Sequence, residues 1–372
     1  MIKVLQLVEG FNFGGAETKL LELVQHMDKS EFETTVVSLG LGNEIEEKFN
    51  QLDCRVLTFQ REHRFDFGLL KRLRNFIRDE NIDIVMTTLF YADVMGAMAG
   101  HKGGAKGVFS WETISSPKWL KPHRFWGYRY AIRRTDEVIS VSQATAEWLV
   151  EKRKVPRDKI RVIPYGVNLD IFKPEPGAVS HTDLGLPEDA FVIGQVSRLN
   201  EQKGHVYLMQ AAPELIRRHP NVHILLVGDG PTRPQIETMI REQQLERNVH
   251  LLGFRDDVAE LLPLFDLFTL PSLYEGLPNV VLEAMAAGLP VVATPVDGTK
   301  EAVVDQKTGL LIPTRDPQAL NRALMTLIEQ PQLAKSMGNA GRQRVETYFS
   351  LENQVKQFEN LYKQYAIPGT SQ

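Results

Sequence analysis

A single cysteine, Cys54, stands among 372 residues. A lone thiol excludes intrachain disulfides and paired-cysteine metal sites, and its apolar neighbours lead us to expect a buried structural thiol in a reducing compartment. No stretch of 18 apolar residues occurs, and the start has no basic, apolar and small-residue leader. The expectation is therefore a cytoplasmic protein. Neither G-x-G-x-x-G nor G-x-x-x-x-G-K is present. Their absence disfavours hydride transfer on a bound dinucleotide and removes the phosphate cradle of P-loop enzymes. Short repeats and low-complexity tracts are also missing.

What is present is an ordinary globular composition, 43% hydrophobic and 24% charged. The length exceeds what one core usually serves, so two domains of roughly 150 to 200 residues are expected. The net charge of −4 is unevenly divided. Residues 1–166 carry 25 Lys and Arg against 22 Asp and Glu, and the remainder 18 against 25, so the halves stand near +3 and −7. This division suits two domains with different partners and argues against a nucleic-acid binder with one broad basic face.

Short apolar runs alternate with segments of helical period, twice over. The first series is IKVLQLV (2–8), TTVVSL (34–39), IDIVMTT (82–88), GVFSW (107–111), EVISVS (137–142) and IRVIPYG (160–166). The second is FVIGQVS (191–197), VHILLVG (222–228), NVHLLG (248–253), LFTLPS (267–272), PVVATPV (290–296) and GLLIP (309–313). Continuous apolar runs read as parallel strands buried on both faces. Leu20, Leu23, Val24 and Met27 mark an amphipathic helix between the first two runs, over about 17–27. Leu351, Val355, Phe358, Leu361 and Tyr362 mark another near the end. The fold class expected is α/β, with two Rossmann-like doubly wound domains facing a cleft. The boundary falls in 168–189, where three prolines and two glycines break both periods.

The segment YEGLPNVVLEAMAAGLP (274–290) carries helix start and stop signals in order. Pro278 suits the first turn, and Gly288 followed by Pro290 closes the helix, predicting a short helix over 278–287. Its first-turn amides and positive dipole end form an anion site. Glu275 precedes that end and Glu283 lies on the second turn. A diphosphate there would put a ribose to one side and a sugar to the other, where carboxylates accept paired hydroxyl hydrogen bonds. The plainer reading has Glu283 facing water and Glu275 capping the helix.

Seven pieces in order decide between these readings: GGAE (14–17), VSQATAEWL (141–149), VIPYGVNLDIFKP (162–174), GQVSRLNEQKG (194–204), LLVGDGP (225–231), VHLLGFRDDV (249–258) and the glutamate segment. Together they resemble the retaining glycosyltransferases of family 4 (glycosyl transferases group 1), with the GT-B-type fold, over nearly the whole chain. The resemblance implies an N-terminal acceptor-binding domain, 1–167, with 353–372 packing back on it, and a nucleotide-sugar-binding domain, 168–352. It assigns Glu283 to the ribose hydroxyls, Glu275 to the donor sugar, and Arg198 and Lys203 to the diphosphate. Gly276, Leu277 and Asn279 belong to the same donor-binding turn. The strand end at Gly253, Phe254 and Arg255 would meet the base, and Gly14 and Gly15 would let backbone approach phosphate or sugar. No cofactor is implied: the two cations replace the divalent metal that other transferases use.

The implied activity is retaining, metal-independent transfer of a hexose from a nucleotide sugar, a UDP-sugar by family frequency. The acceptor would be a saccharide or lipid-linked glycan of cell-surface polysaccharide synthesis. A related epimerase or hydrolase, or a non-catalytic nucleotide-sugar binder, is the alternative. The family pattern breaks at VFSWETISS, which has no histidine from 102 to 122. Glu112 is the candidate to act there, against an ordinary loop glutamate. His205 reads as a helix-start residue rather than a base. Finally, KWLKPHRFWGYRYAIRR (118–134) holds six Lys and Arg, five aromatics and no acid. It fits either a helix with a solvated basic side or peripheral contact with an anionic membrane at its inner face.

Overall fold

A computed structural model describes residues 1–11, 14–40, 45–63, 66–115 and 117–367. The chain divides into two units, Met1–Tyr165 with Leu351–Gln372, and Gly166–Ser350.

Among the described residues the first unit is built on seven parallel strands, β1 (Ile2–Val8), β2 (Phe32–Ser38), β3 (Arg55–Thr58), β4 (Ile84–Thr88), β5 (Gly107–Glu112), β6 (Glu137–Ser140) and β7 (Ile160–Val162). They run in the order β3-β2-β1-β4-β5-β6-β7. Sequence reading gave six of these and missed β3. RVLT is a four-residue edge strand, half or fully exposed, so it lacks the apolar run that marks its neighbours. Cys54, beside it, is half-buried rather than buried. The helix expected over 17–27 spans Gly15–His26, with Leu20, Leu23 and Val24 buried. The Leu351–Ala366 helix buries the stripe Leu351, Val355, Phe358, Leu361 and Tyr362. Phe358 meets Trp111 of β5 with ring centroids 5.0 Å apart, and the Tyr362 hydroxyl accepts from Gln6 Nε2 of β1 at 3.1 Å. Burial at roughly 1.5–3 kcal/mol for each large apolar side chain holds this helix on the sheet it follows by some 190 residues of intervening chain. Residues 368–372 of the expected return lie outside those described.

The second unit has six parallel strands, β8 (Phe191–Val196), β9 (Val222–Val227), β10 (Val249–Gly253), β11 (Leu267–Leu270), β12 (Val291–Ala293) and β13 (Gly309–Leu311). Their order, β10-β9-β8-β11-β12-β13, repeats the doubly wound pattern, and the direction of winding reverses between β8 and β11. Flanking helices bury Leu208, Met209, Leu215, Leu320 and Leu324 against this sheet. The stretch expected as a boundary, 168–189, belongs to this unit and is tied down on it. Arg342 Nη1 donates to Phe172 O at 2.7 Å, and Ala178 N to Glu260 Oε2 at 2.7 Å. Proline and glycine there interrupt periodicity without making a free linker.

Candidate functional site

Ligands of doubly wound sheets bind outside the carboxyl ends of strands where the winding reverses. In the second unit that place is formed by the loops after β8 and β11. The β8 loop exposes Arg198, buries Leu199, and closes a single 3₁₀ turn over Glu201–Lys203. Asn200 Oδ1 caps that turn by accepting from Lys203 N at 3.2 Å. Gly204 follows at φ +69°, and a Cβ there would come within 2.0 Å of Pro271 O. Only glycine lets the two loops press together so closely. Gly228, at φ +131° after β9, plays the same part against Ser197 O.

The two loops are then stitched by backbone and side chain. Leu273 N donates to Gln202 O at 2.7 Å, Gln202 Nε2 to Tyr274 O at 2.9 Å, and Gln195 Nε2 to Lys203 O at 2.9 Å. This frame brings Lys203 Nζ to 2.6 Å from Glu275 Oε1. Ser272 Oγ donates to the same oxygen at 2.7 Å, and Glu275 N donates to Asp297 Oδ2 at 2.7 Å. Asp297 comes from the loop after β12 and holds φ +41°, a strained position for a residue with a side chain. Burial pushes its carboxyl pKa up. Gly298 N reaches Gly276 O at 2.7 Å, so three strand ends contribute. Ser272, Asp297 and Asn200 were not found from sequence. Ser272 and Asn200 lie within three residues of the Glu275 and Lys203 they hold, and a turn reading of their polar side chains could have found them.

Leu277 is buried and Pro278 stands at the N-cap, outside the Asn279–Ala286 helix, so the helix begins one residue later than the sequence reading. Pro278 at ψ 110° is extended, and Val281 N already turns back to Pro278 O at 3.1 Å. Gly288 ends the helix at φ +77°, as expected of a left-handed close. Glu275 and Glu283 are 4% and 9% exposed, so Glu283 does not face water. His205 begins the His205–Arg218 helix, is buried, and lies 3.1 Å through Nε2 from Ser197 Oγ. Burial first, then the Lys203 charge, lowers its pKa to about 4, leaving it neutral near pH 7. Gly253 closes β10 at φ +70°, followed by exposed Phe254. Arg255 donates from Nε to Asp257 Oδ1 at 2.7 Å, so its guanidinium is held by its own loop.

The first unit places Gly14 at the N-cap of the Gly15–His26 helix, after β1. A Cβ on Gly14 would meet the Glu17 carboxylate at 2.5 Å. Glu112 ends β5, 5% exposed, with Arg153 Nη1 donating to both its oxygens at 3.1 and 3.0 Å. It is closed off from open solvent; Arg153 pairs with it, and Tyr128 and Asp93 lie close enough to act on it through charge. Asp93 is buried, accepts from Thr87 and Ser110 hydroxyls at 2.6 and 2.8 Å, and has its pKa raised by burial and by Glu112. Within 118–134 the Pro122–Ile132 helix buries Tyr128 while Trp126 and Tyr130 are exposed, so the aromatics divide between core and surface.

Residues 13–171 match the model for Glycosyltransferase Family 4, and residues 179–344 match that for Glycosyl transferases group 1. A UDP-Gal:alpha-D-GlcNAc-diphosphoundecaprenol alpha-1,3-galactosyltransferase of Escherichia coli is 29% identical over 308 residues, 80% of this chain and 79% of that protein. A D-inositol 3-phosphate glycosyltransferase of Corynebacterium urealyticum is 36% identical over 219 residues, 55% and 51% of the two chains. Among solved structures, Anabaena Alr3699/HepE in complex with UDP superposes with TM-score 0.88 at 24% identity, covering 98% of this chain and all of that one. WaaG, a glycosyltransferase involved in lipopolysaccharide biosynthesis, gives 0.76 at 19%, covering 99% and 100%. These two likenesses show a shared fold, two Rossmann-like α/β domains of the GT-B type.

Proposed function

The chain belongs to the family 4 glycosyltransferases, and on that premise we propose that it moves a hexose from a UDP-sugar to a saccharide or lipid-linked acceptor, with retention and without a metal. The observation that carries the reading is the Lys203–Glu275 pair at the winding reversal of the second sheet, on the loop that also exposes Arg198 and beside the start of the Asn279–Ala286 helix. UDP is supported by the Anabaena structure, which holds it, and by the E. coli relative, whose name specifies UDP-Gal.

In this reading the diphosphate lies against Arg198, Lys203 and the amides of the turn at Gly276 and Leu277. An ammonium has three N–H donors, and Lys203 gives one to Glu275, leaving two for phosphate oxygens. Glu283 takes the ribose hydroxyls, Glu275 those of the sugar, and the turn at Gly253 and Phe254 the base. As the bond from the anomeric carbon to the diphosphate oxygen breaks, charge grows on that oxygen beside the fixed cations, which stabilise it without reorganising. The acceptor hydroxyl forms the new bond on the same face, and its proton passes to the departing diphosphate. The protein's share is position and charge. Gly14 and Gly15 give backbone access on the first unit. We place Glu112 as a positioning residue for the end of β5, through Arg153.

The exposed Trp126 and Tyr130 on a helix free of acids support contact with an anionic membrane surface. Among the described residues no helix is long and apolar enough to cross a membrane.

The test is calorimetric titration with UDP, GDP, ADP and their sugars, followed by turnover of the best donor with saccharide and polyprenyl-linked acceptors. Tight UDP binding that Glu283→Ala weakens about tenfold or more is expected. Preference for another nucleotide, or donor breakdown with no acceptor-dependent product, would overturn the reading.

A further inference from the structure

Asp93 stands in the first turn of the Phe90–Gly103 helix, whose N-cap, Leu89, follows β4 at φ 75° and ψ 160°. That conformation is strained for a residue with a side chain and persists only where its surroundings hold it. The first sheet reverses its winding between β1 and β4, so this turn and the loop carrying Gly14 and Gly15 flank the ligand end of the unit. Asp93 ties the turn down twice. Its N–H donates to Leu89 O at 2.9 Å, and its Oδ1 lies 2.6 Å from Thr87 Oγ1 on β4 and 2.8 Å from Ser110 Oγ on β5.

For an ionised Asp93 both hydroxyls must donate to it, and the protons do not suffice. Thr87 Oγ1 also lies 3.0 Å from Phe109 O, a carbonyl that can only accept, and a hydroxyl has one proton. Every contact is satisfied when Thr87 donates to Phe109 O, Ser110 donates to Asp93, and Asp93 itself donates to Thr87. Charge leads to the same assignment. Asp93 is 3% exposed, and the cation facing it from the Gln143–Arg153 helix, Arg153, gives Nη1 to both oxygens of Glu112 on β5. Tyr128 of the Pro122–Ile132 helix adds a phenol that burial keeps neutral. From β1 and the Phe67–Asp79 helix come apolar side chains, Leu5, Leu7, Leu69 and Leu73. An ionised Asp93 would therefore be a second buried carboxylate without a cation, a cost that holding the proton avoids. Burial first, then Glu112, raises its pKa accordingly.

We propose that Asp93 is a positioning residue that works as a neutral acid, donating a hydrogen bond to Thr87 and so clamping the strained Leu89 turn at the ligand end of the first sheet. Ionisation in alkali loosens the clamp. That the turn borders the acceptor rests on the glycosyl-transfer reading; the proton and the clamp do not.

The experiment compares the full chain with Asp93→Asn, whose amide is a donor with no proton to lose near neutrality, and Asp93→Leu, which has no donor. Infrared difference spectra between wild type and Asp93→Asn at pH 7 should contain the C=O band of a protonated carboxylic acid, fading as pH rises. At pH 8 an unfolded aspartate is ionised, so folding of the wild type takes up a proton and folding of Asp93→Asn does not; the variant should melt higher. Hydrogen exchange at the Asp93 amide, compared at one alkaline pH, should be at least about threefold faster in the wild type than in Asp93→Asn. The acceptor KM of the wild type should rise about tenfold into alkali with kcat changed less. That rise should be absent from Asp93→Asn, and Asp93→Leu should show a raised KM already at pH 7. A wild type without the acid band, an Asp93→Asn protein that melts lower than wild type at pH 8, or an alkaline rise in KM shared by Asp93→Asn would overturn the proposal. A wild type that shows the band and the melting and exchange differences but no turnover would remove the transfer reading and uphold the clamp.

Discussion

Lys203 Nζ and Glu275 Oε1 are 2.6 Å apart although 72 residues separate them, and both are largely buried. The pair joins the two loops at the winding reversal, so its two members serve stability and function together. Replacing Lys203 by Met strands the Glu275 carboxylate with only the Ser272 hydroxyl beside it. The expected loss is about 1–3 kcal/mol in denaturant melts, together with a fall in turnover. Unaltered stability would show that the pair contributes nothing to the fold.

Arg198 provides the contrast. It is exposed, and no ion pair is recorded for it among the described residues. Arg198→Ala should leave stability within about 0.5 kcal/mol while lowering kcat by roughly 10²–10³-fold, the size of losing one charge-stabilising donor. Chelation by EDTA should leave the wild-type rate nearly unchanged. Steady-state kinetics with and without added magnesium checks both; full dependence on the metal would contradict the charge assignment.

His205 makes the fold acid-sensitive. Its folded pKa of about 4 lies below the ordinary value near 6.5, so the unfolded chain binds the proton more readily. The resulting stability is complete above about pH 6.5 and is lost as pH falls toward 4, by roughly 3 kcal/mol over the window. Melts from pH 8 to 4 should show this slope, and His205→Gln should flatten it. A variant with the wild-type slope would assign the acid sensitivity elsewhere.

Glu112 is expected to matter first to the fold. Glu112→Ala leaves Arg153 buried without its carboxylate, at a cost of about 3–5 kcal/mol. Chemical denaturation measures it, and a loss below 1 kcal/mol would remove the positioning role.

Much of this was legible in the sequence because the signals are local. Continuous apolar runs gave twelve strands, and helical stripes such as Leu351 to Tyr362 gave the faces that pack. The turn signals at Pro278 and Gly288 bounded the helix to within a residue at its start. The edge strand β3 escaped because an exposed four-residue strand has no apolar period to read. Arg153 as the partner of Glu112, 41 residues away, and Asp297 as the partner of the Glu275 backbone had no local signal at all.

Local pattern was enough to mark the strands, the inward helix faces and the charged turn that meets a helix start, because burial on both faces imposes unbroken apolar runs on strands and burial on one face imposes a period of 3.6 on helices. That the loop after β8 lies against the loop after β11 came from long-range packing alone. Leu267 pairs with Ile193 because the sheet reverses its winding there, and strand adjacency is set by long-range pairing and crossover direction rather than by any local pattern.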